Sequence, residues 1–91
     1  MHLEIVSPEQ VLFSGEVQEV SVPGVNGEFQ MLNNHAPVVS VLQKGGIKLA
    51  GDAEIPSKVE SQFQNINGKK VFPIEGGVIE LKDNKVTILV D

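Results

Sequence analysis

Few side chains in this sequence are equipped to do chemistry. There is no cysteine, which removes thiolate nucleophiles, disulfides and cysteine-held zinc. Its two histidines, His2 and His35, are far apart in the chain, and with nearby carboxylates they leave a metal site open on residue types alone. No Gly-x-Ser-x-Gly nucleophile elbow occurs. The "NGKK" run at Asn67–Lys70 lacks both the glycine spacing and the Ser/Thr of a phosphate-binding loop. Polar and conformationally permissive residues crowd instead into one stretch, "GVNGEFQMLNNHAP", Gly24 to Pro37. Within it Glu28 reads as a solvated carboxylate after a turn. His35 reads as a loop histidine bonded to neighbouring backbone, which is compatible with a place in a protein interface. No base, nucleophile and orienting group form a set, so an enzyme is not expected.

The elements that hold this stretch are strands. The chain has 91 residues, enough for one domain with a modest core. Hydrophobic residues make up 41%, with four Phe and neither Trp nor Tyr, so the core must be aliphatic and rich in Val and Ile. The net charge of -5, with no basic run, argues against nucleic acid or acidic lipid as a partner. Apolar runs such as "VVSVL" fall far short of the roughly 20 residues of a membrane helix. "MHLEIVSPEQ" has neither the basic start nor the apolar core of a signal peptide.

Turn signals recur too often to leave room for helices: "SPEQ", "SG", "PG", "NG", "KGG", "GD", "NG", "GG" and "DN" follow one another along the chain. Between them the apolar residues alternate. Val86, Ile88 and Val90 share one face, as do Ile79 with Leu81 and Phe72 with Ile74. "KDNK" at Lys82–Lys85 suits a tight hairpin, because Asp and Asn tolerate positive φ. "GEVQEVSVPG" breaks parity: either Val17 faces outward or a bulge near Gln18–Glu19 resets the register, and the bulge is the favoured expectation. Gly51–Gly68 is polar, with only Ile55, Val59, Phe63 and Ile66 spaced along it, and Pro56 opposes a helix. It reads as a long loop or irregular hairpin. Shortening it is expected to cost little, since loop entropy changes by about 0.6 kcal/mol per doubling. The fold expected is all-β: one domain over residues 1–91, an antiparallel β-sandwich of about ten short strands in two sheets.

A series of short motifs then carries a resemblance. Leu3, Ile5, Val6 and Pro8; Phe13, Ser14 and Gly15; Gly27, Glu28 and Phe29; and His35, Ala36 and Pro37 stand in order. Together with "FPIEGGVIELKDNKVTILVD" they resemble the N-terminal domain of the epsilon subunit of bacterial F-type ATP synthase. Each motif is weak alone; in series, from both ends of the chain, they are specific.

The resemblance implies a rotor part that catalyses nothing, binds the gamma subunit and rests on the membrane c-ring, peripheral to the cytoplasmic face of the bacterial inner membrane. It implies ring contact through Gly27, Glu28 and Phe29, with acidic Glu28 suited to a ring loop that in this family carries arginine. It places Ser7, His35, Ala36, Pro37 and Ser40 toward gamma. No cofactor, catalytic residue or metal ligand is expected, and no nucleic acid. Family members generally continue into a two-helix domain that binds nucleotide in some of them and brakes the enzyme; this sequence ends at Asp91, and those activities are not carried over. Residues 51–68 are longer than the family's usual connection and are expected to be an inserted loop. A stand-alone adaptor with another partner is the alternative, since fold does not fix function.

Overall fold

The structure, a computed structural model, describes residues 1–91. Ten strands follow one another: β1 (His2–Val6), β2 (Val11–Glu16), β3 (Glu19–Gly24), β4 (Gly27–Leu32), β5 (Val38–Leu42), β6 (Gly45–Ala50), β7 (Gln64–Ile66), β8 (Lys69–Ile74), β9 (Gly77–Lys82) and β10 (Lys85–Val90). One 3-10 turn at Glu60–Gln62 is the only helical piece.

Two sheets were expected, and hydrogen bonding instead joins every strand into one. The order is β2-β1-β10-β9-β5-β3-β6-β8-β7, with β4 paired to β3. The join in the middle is thin, because β5 meets β3 at the single pair Gly24 and Leu42. On either side of it lie five strands: β2, β1, β10, β9 and β5, then β4, β3, β6, β8 and β7. The sheet curls so that both groups turn one face to a common core. One pairing is not antiparallel: β1 runs parallel to β10, in register from His2–Lys85 to Val6–Leu89.

Alternation decides what is buried. Leu3, Ile5, Val20, Val22, Met31, Ile47, Leu49, Ile79, Leu81, Val86 and Ile88 are buried in the core cluster, and no polar side chain is buried. The expected faces of the last three long strands hold: Val86, Ile88 and Val90, Ile79 with Leu81, and Phe72 with Ile74 all point inward. Asp83 and Asn84 take φ of 51° and 60° and join β9 to β10 as a two-residue turn, as their tolerance of left-handed backbone allows.

Val17 behaves differently from expectation. It is buried, yet no bulge resets a single strand there. The chain leaves the β2 ladder at Glu16, turns through Val17 and Gln18, and enters the other half of the sheet as β3. The parity break therefore marks a crossing between the halves. A register shift does occur at Ile5–Val6 opposite β2, which turns Leu12 against the core and Val11 outward.

Residues 51–68 are less idle than a polar loop. They contain the 3-10 turn and β7, and Ala53, Ile55 and Phe63 pack against the core. The Phe63 ring stands edge-on to Phe13 at 5.8 Å between centroids and to Phe72 at 5.2 Å. Phe13 belongs to β2 and Phe72 to β8, near opposite ends of the strand order. Phe63 thus bridges the open side of the curl, and easy shortening of the segment does not extend to this residue.

Candidate functional site

The residues singled out from sequence lie at two ends of the sheet. The β3–β4 turn, Gly24–Gly27, is at one end. Its close approach demands glycine: a Cβ on Gly24 would lie 2.8 Å from both the Gly27 carbonyl oxygen and the Phe29 ring, and Gly27 has φ of 121°. Glu28 follows, pairs with Pro23 across the ladder and projects to solvent. Its carboxylate is held by the Lys48 ammonium at 2.8 Å, with both side chains about half exposed. Phe29 is half-buried against the core. Of this triple, then, Gly27 shapes the turn, Glu28 presents charge, and Phe29 anchors the hairpin.

The Ser7–Gln10 turn lies at the same end, closed by the Ser7 N–H donating to the Gln10 carbonyl at 2.9 Å and by the Ser7 hydroxyl. The His35–Pro37 loop is at the opposite end. There the Asn34 N–H donates to the Asn84 side-chain oxygen at 2.8 Å and the His35 N–H to the Leu32 carbonyl at 3.2 Å. Nδ1 of His35 donates to the neighbouring Ala36 carbonyl at 2.7 Å, the local bonding expected of a loop histidine. His35, Ala36 and Pro37 are all exposed. Ser7 and His35 therefore stand a strand's length apart, about 16 Å for five residues. Ser40 lies between them, but it shares the core side of β5 with Val38 and Leu42, opposite Ile79.

Sequence reasoning missed a polar cluster at the His35 end. His2 Nδ1 meets a Glu16 carboxylate oxygen at 2.8 Å, and Nε2 lies 3.3 Å from the Ser14 hydroxyl. Glu4, 3.8 Å from His2, also pairs with Lys85 at 3.6 Å. These pairings follow from register, because Ser14 opposes Glu4 and Glu16 opposes His2. No group of three or more His, Asp or Glu side chains is placed to hold a metal ion. A recess of about 800 Å³ lies between residues 14–19 and 50–56 and is bordered by Met1, Glu16, Glu19, Asp52 and Glu54. Four carboxylates against one terminal ammonium leave this recess net negative.

What the surface offers at these positions is turns, ion pairs and outward side chains. Comparison with known proteins places the chain in a family. The family model described as "ATP synthase, Delta/Epsilon chain, beta-sandwich domain" matches residues 1–91, and the chain belongs to this family. It is 37% identical over 89 residues to the ATP synthase epsilon chain of Chlorobium limicola, covering 98% of this chain and 86% of that one. It is 35% identical over 91 residues to the ATP synthase epsilon chain of Leptospira interrogans, covering all of this chain and 61% of that one. The chain thus spans about six-tenths of the length of several curated relatives. Among solved structures, a chain of the Tetrahymena thermophila mitochondrial ATP synthase central stalk and c-ring superposes with a TM-score of 0.68. At 19% identity, over 99% of this chain and 62% of that one, that likeness speaks for the fold.

Proposed function

We propose that this chain is a non-catalytic central-stalk subunit of an F-type ATP synthase, binding the gamma subunit and the c-ring so that ion translocation is coupled to ATP synthesis. The observation that carries this is the family match over the whole of residues 1–91, on a chain whose relatives are named ATP synthase epsilon chains. Gly27, Glu28 and Phe29 meet the polar loops of the ring, with Glu28 exchanging part of its Lys48 pairing for a ring cation. Ser7, His35, Ala36, Pro37 and Ser40 lie toward gamma, at two ends and the middle of one half of the sheet. The protein sits peripherally at the cytoplasmic face of a bacterial inner membrane; no helix of the structure is long and apolar enough to cross a membrane. It binds neither nucleotide nor nucleic acid, in keeping with its acidic recess and net negative charge. The 51–68 segment is an insertion on the family frame, tied in through Phe63.

Affinity capture from detergent-solubilised native membranes tests this. Gamma and the c-ring should be recovered together with the tagged chain. Recovery of a different partner, with neither of these present, would establish the adaptor reading instead.

A further inference from the structure

Of the six asparagines in this chain, the two that precede glycine, Asn26 and Asn67, both lie at hairpin tips. Asparagine before glycine carries a built-in reaction. The next backbone nitrogen can reach the side-chain amide, and no Cβ on that residue stands in the way. How firmly each group is held decides where the reaction runs. The side-chain oxygens of Asn33 and Asn84 are occupied, by the Met1 ammonium and by the Asn34 N–H. Asn33, Asn34, Asn65 and Asn84 are each followed by a residue whose own side chain crowds the nitrogen. Asn26 and Asn67 are exposed, and neither side chain makes a hydrogen bond.

The two tips differ at the attacking nitrogen. Gly27 opens β4 and is paired with Gly24, so turning its nitrogen breaks the end of a ladder. Asn67 and Gly68 instead form the two-residue turn between β7 and β8, inside the Ile66–Lys69 pair, and Gly68 belongs to no ladder. Both take left-handed backbone, with φ of 50° and 79°, as a type I′ turn requires. We propose that Asn67 is a site of self-modification, where the Gly68 nitrogen displaces ammonia from the Asn67 side chain and water then leaves isoaspartate or aspartate. The Gly68 nitrogen gives its proton to hydroxide and bonds to the side-chain carbonyl carbon of Asn67. The C–N bond of the carboxamide breaks, and ammonia leaves. Water opens the resulting five-membered imide. Opening at the former backbone carbonyl sends the chain through the side chain as isoaspartate; opening at the other carbonyl gives aspartate. In sum, an amide and a water become a carboxylate and an ammonium.

The two products act differently on the fold. Aspartate tolerates left-handed backbone much as asparagine does, so it adds charge alone. Isoaspartate inserts an extra backbone atom into a turn that has no slack. That turn rests on Gly51, where a Cβ would lie 2.1 Å from the Gly68 carbonyl oxygen. The three residues of β7, Gln64–Ile66, hang from it, and Phe63 comes directly before them. Isoaspartate therefore loosens the strand that seats Phe63 across the open side of the curl.

Incubating the purified chain in mildly alkaline buffer tests this, with its peptides then mapped by mass spectrometry and fragmentation that separates isoaspartate from aspartate. Asn67 should convert at least tenfold faster than Asn33, Asn34, Asn65 and Asn84, and severalfold faster than Asn26. Isoaspartate should be present among the products at Asn67, because direct hydrolysis of a side chain cannot make it. Gly68→Asn keeps a residue that tolerates the turn but crowds the nitrogen, and should slow conversion at least fivefold. The fraction of chains carrying isoaspartate should unfold at lower urea than fresh chain, whereas Asn67→Asp should unfold with the fresh chain. An Asn67 that keeps its amide, faster conversion at Asn26, or aspartate as the sole product would overturn the proposal. Isoaspartate-bearing chain that unfolds like the fresh protein would overturn its effect on β7.

Discussion

The two halves of the sheet share one core and differ in what they show to solvent. On β2, β1, β10, β9 and β5 the outward positions nearest the Ser7 turn are valine and leucine. On β4, β3, β6 and β8 the outward positions include charged and amide side chains that pair with one another along the length of the strands. Glu28 pairs with Lys48 at 2.8 Å, and Glu19 with Lys69 at 2.9 Å and with the Gln30 amide at 3.0 Å. Strand alternation sets the inward residues of both halves alike, so the difference lies in the outward face and not in the core.

The sharpest way to break this comparison is to substitute neighbours on one strand. Ile88 faces the core and Leu89 faces solvent. Ile88→Ala should cost about 3 kcal/mol of stability, from lost transfer energy and the cavity left behind. Leu89→Ala should cost less than about 0.5 kcal/mol, as surface changes do. Urea unfolding of both reads the difference; equal costs would mean that Leu89 is core. A smaller effect probes the seam between the halves. Phe63→Ala removes the ring that stands edge-on to both Phe13 and Phe72. It should cost about 2 kcal/mol, below a fully buried Phe because the ring is only partly covered. A change within error would show that Phe63 is no bridge.

The polar half answers to charge. Glu28→Lys places an ammonium beside Lys48 and before any ring cation, and should reduce ATP-driven proton pumping in reconstituted vesicles by severalfold. Glu28→Gln should reduce it only slightly, because an exposed ion pair contributes about 0.2–1 kcal/mol. The reverse order would place Glu28 away from the ring. The smallest expected effect is none at all: calorimetric titration with millimolar ATP and Mg²⁺ should be flat, and saturable heat would contradict a chain that binds no nucleotide.

Much of this fold was legible because alternation and turn chemistry are local. The inward faces of β8, β9 and β10 and the Asp83–Asn84 turn could be read from residue types within a few positions. Less accessible was anything set by pairing between distant segments. The parallel β1–β10 ladder, the crossing at Val17 and the bridging role of Phe63 depend on which strands become neighbours, and periodicity carries no such information. The candidate site divides in the same way. Gly27 as a turn former and His35 as a locally bonded loop residue were visible in sequence. The Glu28–Lys48 pair was not, because Lys48 reaches it only through β3. The outward apolar row was hidden too: Val6, Val41, Val78 and Leu89 each look like an ordinary strand valine or leucine until register sets them side by side.

The most direct measurement of the central claim is coupling with and without the subunit. Inverted vesicles carrying ATP synthase depleted of this chain should hydrolyse ATP without building a proton gradient, and adding back the purified protein should restore the gradient in proportion to its occupancy. Depleted vesicles that pump protons as well as complete ones would contradict a coupling role for this protein.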